Sequence, residues 1–339
     1  MMGPILTGIS GLSLLPEEVE YLQHPLVAGV ILFTRNYHDN EQLIALTAQI
    51  KKISPMLLIS VDHEGGRVQR FRDGFSAIPA MFEATSFQKK HNSPILADLG
   101  FTLAAELRAH GVDFSFTPVL DLNGISQVIT TRAFAISPIE VIDAAKHFIG
   151  GLHSAGVKNV VKHFPGHGSV GPDSHIAMPV DERSKAEIFN SDMSVFKALV
   201  DSGCADGVMP AHVIYPHCDP KPACFSDYWL KQVLRNKLGF KGPVFSDDMG
   251  MQGAVQMGDY VTRTQSALDA GCDLALLCNE PHGLYEVLDG LEINLYQNHG
   301  QRGLAYLQKK NVTMMELKTD HRWLAAQSVI SKMEDYRAN

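Results

Sequence analysis

The 339-residue sequence lacks any run approaching the ~20 uninterrupted apolar residues that a helix needs to span a bilayer, so no membrane-spanning helix is expected. It also lacks a basic excess. Lys and Arg number 29 against 37 Asp and Glu, a formal net charge of -8, with no long run of one sign. Phosphate affinity comes from clustered cations, so neither nucleic acid nor a membrane surface is the expected partner; a neutral or small molecule is. Cysteine is scarce: Cys204, Cys218, Cys224, Cys272 and Cys278 are odd in number and show no CxxC spacing, which points to reduced thiols in a cytoplasm. The opening MMGPILTGISGLSLLPEEVE has no basic segment before its apolar stretch and no cleavage-site pattern, so it reads as mature protein. Low-complexity tracts and linkers are missing as well, and residues 1–339 are expected to form a single domain.

What is present is a repeated alternation. With 45% hydrophobic residues the chain can bury a large core. Eight β-rich apolar runs recur near Ile5 to Ile9, Val27 to Phe33, Met56 to Val61, Val112 to Phe116, Val157 to Lys162, Gly207 to Met209, Pro243 to Ser246 and Leu274 to Cys278. Amphipathic stretches lie between them, including Asn40 to Lys52, Pro94 to His110, Pro138 to Ala155, Ser184 to Ser202, Tyr228 to Leu238 and Thr262 to Ala270. This pattern predicts an α/β fold with a parallel sheet, and eight units predict a single (β/α)8 TIM barrel; a doubly wound open sheet shares the local pattern. From about residue 280 to 339 the chain reads as a C-terminal helical extension, with a helix from Glu316 to Met333. Polar clusters follow the strands: DHEGGRVQR the third, TPVLDLN the fourth, KHFPGHG the fifth, PAHVIYPH the sixth and SDDMGM the seventh. In a barrel those ends converge on one face, where active sites lie.

Asp247 and Asp248 follow the seventh strand directly. One of them suits a helix N-cap, but two adjacent carboxylates exceed what a cap needs, so one is expected to face a pocket as nucleophile, electrostatic partner or metal ligand. The run from Lys162 to His175 carries His163, His167, His175 and Asp173 among Pro165, Gly166, Gly168, Gly171 and Pro172, the composition of a functional loop. Asp173 and His175, two apart, share a face of an extended segment, where a carboxylate can orient an imidazole and raise its pKa. Asp62, first after the third strand, is placed to bind a hydroxylated ligand, and Arg132 in TTRAF is an isolated loop cation. Salt bridges are expected to absorb one or two of Arg67, Arg70 and Arg72.

The segments GVILFTRN, VDHEGGRVQR, FTPVLDLN, KHFPGHGSVGPDSH, MPAHVIYP and FSDDMGMQGA together resemble glycoside hydrolase family 3, and within it the single-domain bacterial β-N-acetylglucosaminidases of cell-wall recycling; they span about residues 27 to 254. The resemblance implies a TIM barrel and a retaining glycosidase. Residue by residue it implies Asp247 as nucleophile, His175 as acid/base with Asp173 as its partner, and Asp62, Arg70, Arg132, Lys162 and His163 as sugar-binding positions. It implies no metal and no organic cofactor. The substrate it implies is a small GlcNAc-containing muropeptide, handled by a cytoplasmic protein expected to be a monomer. Arg70, Arg132 and Lys162 would give the pocket a local basic patch suited to an acidic sugar. Two departures from the family pattern, Ala135-Ile136-Ser137 after Phe134 and Met249-Gly250-Met251 after the paired aspartates, predict a differently shaped loop and a looser turn. Two other readings stay open: a metal-dependent TIM-barrel hydrolase using His163, His167, His175 and the Asp247/Asp248 pair, and a catalytically silent sugar-binding protein.

Overall fold

A computed structural model describes residues 2–171, 179–307 and 312–338. Each of the eight expected apolar runs overlaps a parallel strand: β1 (Ile5–Thr7), β2 (Val27–Leu32), β3 (Leu58–Val61), β4 (Phe114–Ser115), β5 (Val160–Phe164), β6 (Gly207–Pro210), β7 (Phe245–Asp248) and β8 (Leu274–Leu277). β2, β3 and β8 are buried at every position, which is why they read as continuous apolar runs rather than as alternating ones.

The fold is α/β. Six strands form one parallel sheet in the order β4-β3-β2-β1-β8-β7, and β5 pairs with β6 in a second parallel ladder. Single parallel bridges, Val119 with Lys162 and Val208 with Val244, join the second ladder to the chain after β4 and before β7. A short antiparallel hairpin, Ile214–Tyr215 with Asp219–Pro222, adds an element that the alternation did not announce. Between the strands, Phe114, Phe116 and Phe245 pack with ring centroids 5.1 to 5.5 Å apart. Tyr306 closes this aromatic cluster from the C-terminal segment, 4.7 Å from Phe114, and donates its hydroxyl to the Asn159 carbonyl.

The helices begin where local chemistry allows. Asp39 accepts a hydrogen bond from the Gln42 amide and opens Asn40–Ile53; Ser137 accepts from the Glu140 amide and opens Pro138–Ser154. Ser137 belongs to the departure noted above and serves as an ordinary cap. The expected helix from Ser184 to Ser202 is instead two, Lys185–Asn190 and Asp192–Asp201. Ser191 breaks it, because its hydroxyl bonds back to the Glu187 carbonyl while Arg183 draws in Asp192 at 2.8 Å. The expected terminal helix likewise divides, into Met314–Leu317 and His321–Ala338, because Asp320 takes the amides of Arg322 and Trp323 and starts a new helix. That helix packs on Ile95–Ala109, where the Trp323 indole donates to Glu106 at 3.1 Å.

Candidate active site

The carboxyl ends of the strands surround a cavity of about 320 Å3. Asp62 and Glu64 reach it from β3, Lys162 and His163 from β5, Asp247 and Asp248 from β7, and Arg67, Arg70, Arg132 and His167 from the loops. Asp62 and Glu64 both enter because they are two apart on an extended segment, while His63 between them is buried against Phe71 and Phe75. Lys162 and His163 are adjacent, and a regular strand would send them to opposite faces. The β5–β6 ladder slips register between Lys162 and Phe164, and both side chains line the pocket.

The cations are held by a buried carboxylate that the sequence reading did not single out. Glu64, 3% exposed, takes both arms of the Arg132 guanidinium at 2.8 Å and the Lys162 ammonium at 2.7 Å. Lys162 also donates to Asp62 at 2.7 Å, and Arg70 lies 3.9 Å from Asp62 with its guanidinium over the Phe33 ring. Burial alone would raise the Glu64 carboxyl, but Arg132 and Lys162 together hold it well below the usual carboxylate range. Burial likewise opposes the charge on Lys162, yet Asp62 and Glu64 keep its ammonium pKa above the ordinary value. The expected basic patch is therefore corrected: the lining cations Arg67, Arg70, Arg132 and Lys162 face as many carboxylates, Asp62, Glu64, Asp247 and Asp248. Arg70 Nε is buried with no hydrogen-bond partner among the described residues.

Asp121, in the TPVLDLN cluster, is the second residue the sequence reading passed over. It is fully buried, bonds His163 Nδ1 at 2.6 Å and accepts the amides of His163 and His167. That contact settles which imidazole nitrogen is tied down and leaves His163 Nε2 for the pocket. The same carboxylate pins the first half of the Lys162 to His175 run. Tyr215 donates to the Gly166 carbonyl at 2.7 Å, and Gly168 lies so close to Leu122 that a Cβ there would meet its carbonyl oxygen at 2.0 Å. This half is a packed structure, not a freely moving loop. Asp173 and His175 lie outside the described residues.

The paired aspartates divide as a local reading expects, with the members identified by partners far along the chain. Asp248 accepts amides from Gly250 at 3.0 Å and Cys278 at 3.2 Å, so it caps the turn after β7 and ties it to β8. The turn is correspondingly firm, with Met249 and Met251 amides both bonded, contrary to the looser turn expected from Met249-Gly250-Met251. Burial raises the Asp248 carboxyl above its usual value. Burial acts on Asp247 too, but His212, His163 and Lys162 outweigh it and hold that carboxyl low. Burial prevails at one acid of the pair and nearby cations at the other, so the two carboxyls shift in opposite directions, the kind of separation that can give two carboxylates in one site distinct roles. Among the described residues no group of three or more His, Cys, Asp or Glu side chains is placed to hold a metal ion, and no helix is long and apolar enough to cross a membrane.

Residues 9–299 match the glycosyl hydrolase family 3 N-terminal domain. The chain is 47% identical over 340 residues to a beta-hexosaminidase of Psychromonas ingrahamii, covering 98% of this chain and 99% of that one. It is 49% identical to a beta-hexosaminidase of Mannheimia succiniciproducens, with 95% of each covered. The crystal structure of NagZ from Neisseria gonorrhoeae in complex with N-trifluoroacetyl-D-glucosamine superposes with a TM-score of 0.91 at 40% identity over 98% of both chains. A family model that matches most of the chain, near-full-length relatives and a shared three-dimensional structure agree: the chain belongs to glycosyl hydrolase family 3 and is a glycoside hydrolase.

Proposed function

We propose that the chain is a retaining exo-β-N-acetylglucosaminidase that removes terminal non-reducing N-acetylglucosamine from peptidoglycan-derived muropeptides, GlcNAc-anhydroMurNAc and its peptides, in cell-wall recycling. It acts as a cytoplasmic monomer without a cofactor. The observation that carries this reading is the division of Asp247 from Asp248: Asp248 is committed to the Gly250 and Cys278 amides, while Asp247 lines a pocket of donors and acceptors for hydroxyl groups. Relatives named beta-hexosaminidase at near-full length support the N-acetylhexosamine specificity. At about 320 Å3 the cavity is at the small end for ligand sites, suited to one sugar ring and so to removal of terminal residues.

In this mechanism Asp247 attacks the anomeric carbon while His175, oriented by Asp173, protonates the departing glycosidic oxygen, and a covalent glycosyl-Asp247 forms. His175, now neutral, takes a proton from water. The resulting oxygen bonds to the anomeric carbon and Asp247 leaves, so two inversions give net retention. A neutral imidazole does not repel an acidic sugar as a second carboxylate would. Asp62, Arg70, Arg132, Lys162 and His163 hold the sugar hydroxyls and the acetamido group. The two single bridges between the ladders support reading the strands that carry them as one (β/α)8 domain.

The test is hydrolysis of a chromogenic N-acetylglucosaminide by the wild type and by Asp247→Ala, with trapping by a 5-fluoro glycoside and mapping of the labelled peptide. Loss of turnover in the variant and a label on Asp247 are expected. Equal rates, or a label on Asp248, overturn the assignment. Full chelation is expected to leave the rate unchanged; its loss on chelation and return with zinc would favour a metal-dependent hydrolase.

A further inference from the structure

The PAHVIYPH cluster after β6 contains His212, which takes no part in the mechanism above although it lies directly behind β7. The ring is fully buried and stacked on Phe225, with centroids 5.3 Å apart and planes 12° from parallel. Its Nε2 donates to the Asp248 carbonyl at 3.1 Å. Its Nδ1 has no hydrogen-bond partner among the described residues, and Cys224 is the neighbouring ionisable group that acts most strongly on the ring. Cys224 is fixed in turn, because the segment that carries it bonds back to the residues flanking His212: the Ala223 amide to Val213 and the Cys224 amide to Ala211. A buried imidazole with Nε2 bonded and its face stacked has little freedom.

The main chain it holds is the one that aims Asp247. The Asp248 amide donates to Asp247 Oδ1 at 2.9 Å, while the carbonyl of Asp248 takes His212 on one side and the Met251 amide on the other. Rotation of Asp248 would therefore turn the Asp247 carboxylate. We propose that His212 is a positioning residue for the nucleophile, holding the Asp248 carbonyl from behind so that Asp247 keeps its aim into the pocket. The inference rests on Asp247 as nucleophile. The electrostatics agree with the geometry. Burial opposes the charged form of His212, while the Cys224 and Asp247 side chains and the Asp248 carbonyl favour it; Asp247 is faced by His212, His163 and Lys162, with His212 acting most strongly to lower its carboxyl.

Two conservative variants separate position from charge. The amide nitrogen of Gln can stand where His Nε2 stands, whereas that of Asn stands where Nδ1 stands. With a chromogenic N-acetylglucosaminide, His212→Asn is expected to lower kcat by about 10²-fold, the scale of an ångström's misplacement of a reacting group, with KM changed less than about threefold. His212→Gln is expected to recover kcat to within about tenfold of wild type. In both variants the acid limb of the kcat/KM profile moves to higher pH, because the cation that keeps Asp247 ionised is gone. Binding of N-acetylglucosamine, measured by calorimetry, reports that each variant is folded. Should His212→Asn fail to fold, His212→Gln alone decides through its pH limb. A wild-type kcat in His212→Asn, a Gln variant no better than Asn, or an acid limb that stays in place overturns the inference. An active Asp247→Ala overturns the nucleophile reading instead, so the two failures are distinguishable.

Discussion

Glu64→Gln tests whether the cation network is what builds the pocket. Glu64 is the only carboxylate that bonds Arg132 among the described residues, through two contacts of 2.8 Å, and it shares Lys162 with Asp62. Glutamine preserves shape and one acceptor oxygen but removes the charge, leaving a guanidinium that is only 11% exposed in its side chain without its counterion. Breaking one side of a buried pair costs about 3–5 kcal/mol, and the retained acceptor places this case near the lower end, ~3 kcal/mol. At ~2 °C per kcal/mol for a chain of this size, the Tm is expected to fall by about 6 °C at pH 7. The pH dependence has a definite sign. The folded carboxyl is held below its ordinary value of 4.5, so its contribution is complete above that value and is lost as pH falls below it. The Tm gap between wild type and variant should therefore be constant from pH 6 to 8 and narrow below about pH 4.5. Glu64→Gln combined with Arg132→Met removes the stranded cation and should restore at least half of the lost stability. The assay is thermal unfolding of all three proteins across that range. A single variant that melts within ~1 °C of wild type, or a double variant less stable than the single, refutes the reasoning.

Asp121→Asn leaves the His163 ring without its ionic partner at Nδ1 and is expected to reduce kcat/KM about 10- to 100-fold, read with the same chromogenic substrate; an unaltered rate would show that His163 needs no such support. Gly166→Ala places a methyl 2.3 Å from Asp192 Cβ at a φ of +140°, so denaturant unfolding should show a loss of at least ~2 kcal/mol, whereas Gly171→Ala should stay within ~0.5 kcal/mol. Gly171 has nothing within 4 Å among the described residues, and similar midpoints for the two would refute a packed first half of the loop. Lys162→Ala should chiefly raise KM and His175→Ala chiefly lower kcat in steady-state kinetics; the reverse split would exchange their roles.

Much of the site was legible because its chemistry is concentrated at strand ends. Apolar runs of three to seven residues locate β1 to β8, and the polar residues just after them mark the face on which Asp62, Lys162, His163 and Asp247 meet. Helix breaks were less legible, since Ser191 and Asp320 stop helices through side-chain bonds that compete with the helical ladder over only a few residues. Glu64 carried a signal that could have been used: its spacing of two from Asp62 on an extended segment, the same argument that paired Asp173 with His175.

The sequence by itself determined that the chain alternates strand and helix, that its polar clusters follow the strands, and, through KHFPGHG and SDD in their order, which family it resembles. It did so because backbone periodicity and turn chemistry are local. Only the tertiary structure decided what each charged group does. Lys162 meets Asp62 across 100 residues, Arg132 meets Glu64 across 68 and His163 meets Asp121 across 42. Asp247 and Asp248 are chemically identical and adjacent in sequence, and they diverge because burial prevails at Asp248 while His212, His163 and Lys162 outweigh it at Asp247. Electrostatic identity comes from what surrounds a carboxylate in space, and folding brings those neighbours from distant parts of the chain.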